Sequence, residues 1–396
     1  MAAFFLAPFY ILVNLYVLRW MFLWLGACSP VFQTLGFRIV YAGIYILFST
    51  SLLTGFLIKK PAPLHRCLKI TGNYFLGIFL YGLTVILSAD LCRFILSKGL
   101  HLSWTKSRYL FILSGFLCLL LILGLCLYGI FHASQIKTTV YHITIDKKVP
   151  EMDHLKIAMF ADCHFGYGTG LFHARKIVRK INREKPDLIC IAGDIFDNEY
   201  EAVPHPEKLC SILQSLESRY GTYACWGNHD LNEPILAGFT FHPDPSHILD
   251  SRMDDFVKKS GIQILEDDAV LIHNSFYLAG RKDPARARKT NTKRKTPAQL
   301  TKDLDRSKPV IILDHQPKEL QELAEAGADL DLCGHTHDGQ MFPGNIITRL
   351  FWKNSCGYLQ KGSMHNIVTS GTGIWGPAMR IGTNSEICII EISFRN

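Results

Sequence analysis

The sequence predicts two unlike parts, a region of four transmembrane helices followed by an α/β domain with sheet layers inside and helices outside. Three observations predict this. Residues 1–132 hold four long apolar stretches and a single carboxylate, Asp90. From about Thr138 onward, charges are spread throughout. There, short apolar runs first alternate with segments of helical period and then follow one another more closely, the pattern of strands and helices sharing one core.

The four stretches are Phe4 to Ala27, Ile39 to Ile58, Tyr74 to Leu96 and Tyr109 to His132. Each approaches or exceeds the ~20 residues a helix needs to cross ~30 Å of hydrocarbon. A cleaved signal peptide explains at most one of them, and no small-residue cleavage site follows the first. Asp90 and Arg93 fall one turn apart near the end of the third stretch, and are expected to form an interface-level pair. Arg19, Arg38, Arg93, Lys98, Lys106 and Arg108 flank one side of the spans, and Lys59, Lys60, Arg66 and Lys69 the other. The positive-inside rule leans towards the first group being cytoplasmic, which places the second part of a multi-pass integral membrane protein outside.

The expected division is 1–132 as the membrane region, 133–154 as linker and first strand, and 155–396 as the soluble domain. Strands are expected at Thr138 to Ile145, Lys156 to Ala161, Asp187 to Ala192, Thr222 to Trp226, Ile262 to Leu265 and Phe276 to Ala279. Further strands are expected at Val310 to Leu313, Leu330 to Cys333, Asn366 to Thr369 and Ile387 to Ile392. Helical period fills Leu171 to Glu184, Pro206 to Arg219, Arg252 to Ser260 and Lys318 to Ala326.

Net charge is +8, and much of it sits between Arg281 and Lys308, a polar, Pro-punctuated stretch read as a solvated surface excursion. The chain has no aromatic-basic interleaving of the kind that stacks single strands, so nucleic-acid binding is not expected. The 12 cysteines show no disulfide-framework spacing and no CxxC pair, and are read as reduced core residues.

Five of the soluble runs end in turns loaded with Asp, Asn or His. These are Asp162-Cys163-His164, Gly193-Asp194-Ile195-Phe196-Asp197, Gly227-Asn228-His229-Asp230, Asp314-His315 and Gly334-His335-Thr336-His337. Carboxyl ends of strands are where ligand sites gather in α/β sheets. A lone histidine is ordinarily a satisfied structural one, and His154, His173, His205 and His365 keep that reading. Imidazole suits zinc, iron and manganese, and carboxylate and amide oxygens suit harder ions such as manganese or magnesium. In Asp162-Cys163-His164 and His335-Thr336-His337, alternate residues of an extended segment would point to one centre, with Cys163 and Cys333 turned into the core. Such a set can hold two ions ~3.5–4 Å apart, which clamp a phosphoryl displacement and turn water into a hydroxide nucleophile.

The order Asp-x-His, Gly-Asp-x-x-Asp, Gly-Asn-His-Asp, His and Gly-His-x-His resembles the calcineurin-like metallophosphoesterase superfamily, over Lys156 to Ile392. The wording Gly-His-Thr-His-Asp-Gly-Gln, then Pro343, and Arg380 before Glu386-Ile387, is similar to its bacterial membrane-associated branch, which includes phosphodiesterases and a UDP-diacylglucosamine hydrolase. Asp338 departs from the Gly common there. The resemblance implies a two-sheet αββα sandwich. It implies one divalent ion on Asp162, His164, Asp194 and His337, and a second on Asp194, Asn228, His315 and His335. Manganese is the first expectation, with zinc, iron or magnesium as alternatives. His229 would be catalytic, protonating the leaving oxygen or stabilising the transition state, and Asp197 and Asp230 would orient ligands or the His229 ring. The implied function is hydrolysis of a phosphodiester or pyrophosphate bond in a phosphorylated small-molecule, lipid-linked or cell-envelope substrate beside the bilayer. The alternative is a membrane sensor or scaffold that binds a phosphorylated ligand without turnover.

Overall fold

A computed structural model of the chain describes residues 2–150, 152–236, 239–240 and 247–395. It separates into two compact units, one of 1–131, 235–240 and 376–379, the other of 132–234, 241–375 and 380–396.

The first unit contains α1 (Ala2–Cys28), α2 (Leu35–Ser49), α3 (Ser51–Leu57), α4 (Ala62–Phe94) and α5 (Arg108–Ala133). Three of these helices are long and apolar enough to cross a membrane, and α2 with α3 makes a fourth span if that bent pair counts as one. The second expected stretch is therefore not one straight helix, since α2 and α3 meet at 54°. Three consecutive hydroxyls cause the break. Ser49 Oγ (3.2 Å) and Thr50 Oγ1 (2.7 Å) bond back to the Ile46 carbonyl, and Ser51 Oγ to Phe48 at 2.5 Å. Such back-bonding competes with the helical ladder and bends it.

Val17, Trp20, Trp24, Phe79, Ile86 and Cys118 form the buried centre of the unit. Gly115 permits one close approach there, because a Cβ would stand 1.9 Å from Trp24 Nε1. Asp90 accepts from Tyr16 Oη (2.7 Å) and Trp20 Nε1 (3.2 Å). Arg93 donates to the Thr105 carbonyl at 3.2 Å and lies over the Phe111 ring. The expected Asp90–Arg93 pair is thus replaced by aromatic donors for the acid and by a carbonyl and a ring face for the base.

The second unit is built on two six-stranded sheets. The first comprises β1 (Ile136–Ile145), β2 (His154–Phe160), β3 (Leu188–Ala192), β4 (Thr222–Cys225), β7 (Ile262–Ile264) and β14 (Ser385–Phe394), in the order β1-β14-β2-β3-β4-β7. The short pair β5 (Ile235–Leu236) and β6 (Phe239–Thr240) belongs to the helical unit. The second sheet comprises β8 (Asp268–Ile272), β9 (Phe276–Gly280), β10 (Val310–Leu313), β11 (Leu330–Cys333), β12 (Gly357–Lys361) and β13 (Met364–Val368), in the order β12-β13-β11-β10-β9-β8. β2, β3, β4 and β7 run parallel, as do β9, β10, β11 and β13.

Strand alternation sorts the side chains into layers. Ile157, Met159, Leu188 and Cys190 face Leu278, Ile311, Leu313, Leu330 and Leu332 in the core between the sheets. Ala158, Phe160, Ile189 and Ile191 face outward onto α6 (Leu171–Glu184), α7 (Pro206–Leu213) and α8 (Ser251–Lys259). In α6 the buried residues are Ala174, Ile177, Val178 and Ile181, one stripe at helical spacing. On the other side Val310 and Ile312 pack against Leu300 of α10 (Pro297–Thr301) and Leu320 and Leu323 of α11 (Leu320–Glu325). Helix, sheet, sheet, helix is the expected sandwich.

The basic stretch is only in part the solvated excursion expected from its composition, since Arg288, Lys293, Lys295, Lys302 and Arg306 are exposed but other cations are tied down. It carries α9 (Pro284–Lys289) and α10, and Arg281 is wholly buried. Arg281 donates to Asp314 (2.7 Å) and Glu319 (2.6 Å), Arg294 also reaches both, and Lys289 pairs with Glu233. Arg286 bonds the Asp230 carbonyl and lies over the Trp226 ring. Each of these cations meets an acid or a carbonyl supplied from elsewhere in the chain.

Candidate metal centre

The five ligand-type turns follow β2, β3, β4, β10 and β11, neighbours within their two sheets, so all five open at the carboxyl ends of parallel strands. Their backbone is not extended. Asp162 (φ 52°), His164 (φ 44°), Asp194 (φ 52°), Asn198 (φ 62°), His335 (φ 75°), His337 (φ 51°) and Asp338 (φ 48°) all adopt left-handed conformations. Non-glycine residues occupy this region at a cost, and clusters of them mark functional sites. Asp162 with His164, and His335 with His337, do converge, but through tight turns and not through the alternation of a strand.

Asp162, His164 and His337 form one group whose ligand atoms lie within 4.8 Å of one another, and Asp194, His315 and His335 form a second. In the first, His164 Nε2 and His337 Nε2 are 3.1 Å apart, with Asp162 Oδ1 3.8 Å from His337 Nε2. In the second, His315 Nε2 lies 3.1 Å from Asp194 Oδ2, 3.2 Å from His335 Nδ1 and 3.1 Å from Asn228 Oδ1. Asp194 stands between the groups, since the same Oδ2 is 3.8 Å from His164 Nε2. A third group, His164, Asp197 and His229, overlaps the first.

Does this arrangement suit metal ions? Imidazole nitrogens 3.1–3.2 Å apart with carboxylate oxygens beside them are the donor set that a shared cation requires. The glycines keep the room open. A Cβ on Gly227 would stand 2.1 Å from Asp194 Oδ1, and one on Gly334 2.8 Å from Asp162 Oδ2. The donor set fits two ions that share a carboxylate.

Burial pushes Asp162 up to about 6, with Asp194 adding and His315 and His164 opposing. Burial also works to raise Asp194, but the charges of His315 and His229 and the bond from His315 hold it well below the usual carboxylate range. Burial and neighbouring cationic rings push His335 and His337 well down, so both present lone pairs. Burial raises the Cys163 and Cys333 thiols, which keeps them protonated and outside the donor set.

His229 is tied down by its main-chain N–H, which donates to Asp194 Oδ1 at 2.7 Å. Its ring meets Asn198 through Nδ1, lies 5.0 Å from the His164 ring and 5.7 Å from Trp375. Burial pushes this imidazole down to about 4, against the pull of Asp194. Asp197 Oδ1 is 3.5 Å from His164 Nδ1, where it can orient that ring. Asp230 instead accepts from the main-chain N–H groups of Phe196 (2.9 Å) and Gly227 (2.8 Å), so it fixes two of the turns and leaves the His229 ring to Asn198.

The sequence did not single out Asn198, nor give Arg380 a role. The buried Arg380 donates to the carbonyls of Ser370 (2.7 Å) and Gly373 (2.8 Å) and reaches His337 Nδ1 at 3.3 Å. A cation in the Gly- and Pro-punctuated segment before the last strand was the one available signal. Asn198 had none beyond following Asp197.

Residues 155–339 match the calcineurin-like phosphoesterase family. An uncharacterized metallophosphoesterase of Helicobacter pylori (strain J99) is 31% identical over 265 residues, 66% of this chain and 64% of that protein. The transmembrane protein with metallophosphoesterase domain of Danio rerio is 28% identical over 292 residues, covering 70% and 62%. The UDP-2,3-diacylglucosamine pyrophosphatase LpxG of Chlamydia trachomatis is 23% identical over 239 residues, covering 52% and 70%. This chain spans 62% to 64% of the length of its Campylobacter jejuni and Helicobacter pylori relatives. Calcineurin-like phosphoesterases use a dinuclear metal centre, and the first two groups are candidates for it. A chain with three or four membrane-type helices thus matches, over residues 155–339, the calcineurin-like phosphoesterase family.

Proposed function

We propose that the protein is a membrane-anchored dinuclear phosphohydrolase of a phosphodiester or pyrophosphate bond in a lipid-linked or cell-envelope substrate. Residues 1–132 serve as the anchor, 133–154 as linker and first strand, and 155–396 as the catalytic domain, held on the extracytoplasmic side. The carrying observation is the pair of donor groups that meet at Asp194 in a chain with three or four apolar spans. The likeness to a pyrophosphatase that acts on a diacylated sugar nucleotide supports the substrate class.

In this reading Asp162, His164, Asp194 and His337 hold one ion, and Asp194, Asn228, His315 and His335 the other, manganese being the physiological choice. Two such ions supply an activated water and neutralise charge on the phosphoryl oxygens. The chain's own residues do the rest. Asp197 orients His164, Arg380 holds His337 from behind, and Asp230 fixes the turns bearing Asp194 and Asn228. With its imidazole pushed down to about 4, His229 is neutral at pH 7. It therefore acts as a hydrogen-bond donor that stabilises charge on the leaving oxygen, and not as an imidazolium that gives up a proton. Nδ1 faces Asn198 Oδ1 in the structure, and to donate from Nε2 the ring must instead accept at Nδ1, which the Asn198 amide provides once flipped to present Nδ2. In the opposite orientation, that Nδ2 is buried without a partner.

The test is turnover of the metal-loaded, detergent-solubilised chain on phosphomonoester, phosphodiester and nucleotide-sugar-lipid substrates. Cleavage of the lipid-linked pyrophosphate or a phosphodiester well above monoesters is expected. Metal binding with no hydrolysis of any of the three would sink the proposal. Reporter fusions after Lys60, Leu100 and Lys137 should alternate in side.

A further inference from the structure

Helix α12 (Gly344–Phe351) buries none of its residues, although half of them are large and apolar. Ile346, Ile347, Leu350 and Phe351 are 52%, 50%, 78% and 80% exposed, and Phe342 just before them is 51% exposed. The spacing i, i+1, i+4, i+5 puts the four on one face. Contrast α6, whose apolar stripe is wholly covered by the first sheet. A contiguous apolar face of this kind on a folded domain marks an interaction surface.

The helix is also fixed to the metal centre. Gly339 (φ 72°) follows the His335-Thr336-His337 turn, and a Cβ on it would lie 2.2 Å from the Gly344 backbone, so the start of α12 is pressed against that turn. At the other end, the Trp352 ring packs edge-on to the His335 imidazole at 5.2 Å.

Cations border the apolar face. Arg349 and Lys353 are exposed, and Lys318 lies over the Trp352 ring at 5.2 Å. Lys318, Lys353, Trp352, Phe351 and Glu322 line a cleft of about 480 Å³. Glu319, also on the cleft, has its carboxylate engaged by Arg281 and Arg294. Aromatic and aliphatic groups on one face with Lys and Arg beside them are the composition of a helix that lies in the headgroup region, apolar side down, cations reaching the phosphates. The occupant follows from the chain itself, whose own spans keep a bilayer at high effective concentration around the catalytic unit.

We propose that α12 is an interfacial helix that docks the catalytic domain on an anionic bilayer surface, with Ile346, Ile347, Leu350 and Phe351 inserted among the acyl chains. The helix then sets the metal centre at headgroup depth, whichever headgroup-borne bond is cleaved.

The experiment uses the full chain in nanodiscs of phosphatidylcholine and phosphatidylglycerol whose acyl chains carry bromine. A genetically encoded fluorescent amino acid replaces Leu350 in one preparation and the exposed Lys302 in another. Quenching at least several-fold stronger at 350 than at 302 is expected. Equal quenching at the two positions overturns the proposal, including the case where a second copy of the chain covers the face instead of lipid. A probe at Phe351 in the double variant Ile346→Asp/Leu350→Asp should lose its quenching while metal content stays unchanged. Quenching that survives both aspartates also overturns it. The readout needs no turnover, so failure of the substrate assignment would leave this result standing.

Discussion

The two sheets of the catalytic unit contribute unequally to the candidate metal centre. The turns after β2, β3 and β4 supply every carboxylate and the amide (Asp162, Asp194, Asp197, Asn228), together with His164 and His229. The turns after β10 and β11 supply imidazoles alone: His315, His335 and His337. Neither of the first two groups is completed by one sheet alone, and the supporting bonds also cross. The His335 N–H donates to both oxygens of Asp162 at 3.0 Å, and His315 Nδ1 meets the Ala192 carbonyl at 2.8 Å. Metal binding at this centre would therefore be coupled to the packing of one sheet on the other. The first sheet brings the carboxylates, the second brings imidazole nitrogens, and an ion held between them would act as a staple.

The largest expected effect comes from the residue common to both groups. Asp194→Asn removes the charge between the ions, so turnover should fall on the order of 10³-fold or more, with fewer than two metals retained by elemental analysis. Two metals and full activity in that variant would break the account of a shared carboxylate.

His229→Ala should keep both metals and lose roughly 10²–10³-fold in turnover, the range for one donor to a developing oxyanion. Because the ring is neutral, the loss should be alike for nitrophenolate and for alkoxide leaving groups. A much larger loss on the alkoxide would restore proton donation as its role.

Stapling predicts that a chelator destabilises the folded catalytic unit, and not only its activity. At free metal ~10³ times Kd, binding is worth about 4 kcal/mol, so a drop of several degrees in melting temperature is expected on chelation. An unchanged melting temperature would mean that the apolar layer alone holds the sheets together.

A smaller effect belongs to a buried acid away from the donor set. Burial pushes Asp331 up to about 7, with the Asp314 charge adding and Arg281 and Asn366 opposing. Its ordinary value is ~3.9. The folded state thus holds a proton that the unfolded chain releases between about pH 4 and 7, so this residue's contribution to stability falls as pH rises through that window. Asp331→Asn should flatten the pH dependence of denaturant unfolding by on the order of 1–4 kcal/mol between pH 4 and 8. An unchanged slope would show that Asp331 is ionised in the core.

The sequence carried the chemistry of the site further than its shape. Five strand-end turns of Asp, Asn and His were legible because only side-chain type and order were needed. The left-handed backbone of Asp162, His164, His335 and His337 was not, because no local rule assigns positive φ to histidine in a strand-end turn. Asn198 lies beyond the motifs, Arg380 stood in the branch wording without a role, and their partners are distant in sequence. Ten of the twelve strands in the two large sheets and α6 were legible from periodicity, while the edge strands β8 and β12 were not. The break at Ser49-Thr50-Ser51 was hidden, because hydropathy averages over hydroxyls that compete for carbonyls. The basic stretch misled for a related reason. Composition records the cations of Arg281 to Lys308 but not Asp314, Glu319 and Glu233, which meet them from other elements.

One feature of the first sheet bears on how the chain is made. Two residues separate the end of α5 from the start of β1, which pairs in parallel along its whole length with β14, Ile136 opposite Ser385 and Ile145 opposite Phe394. The strand that leaves the last apolar helix therefore waits for a partner roughly 250 residues downstream, a separation that delays closure of the loop between them. Throughout synthesis, the ladder of β1 stays open on the side that β14 will fill, and β14 is the strand that joins β1 to β2. The first sheet cannot be continuous until Ser385–Phe394 has been made. A ribosome stalled before Ser385 would thus leave a protein with its apolar helices made and its first sheet still divided.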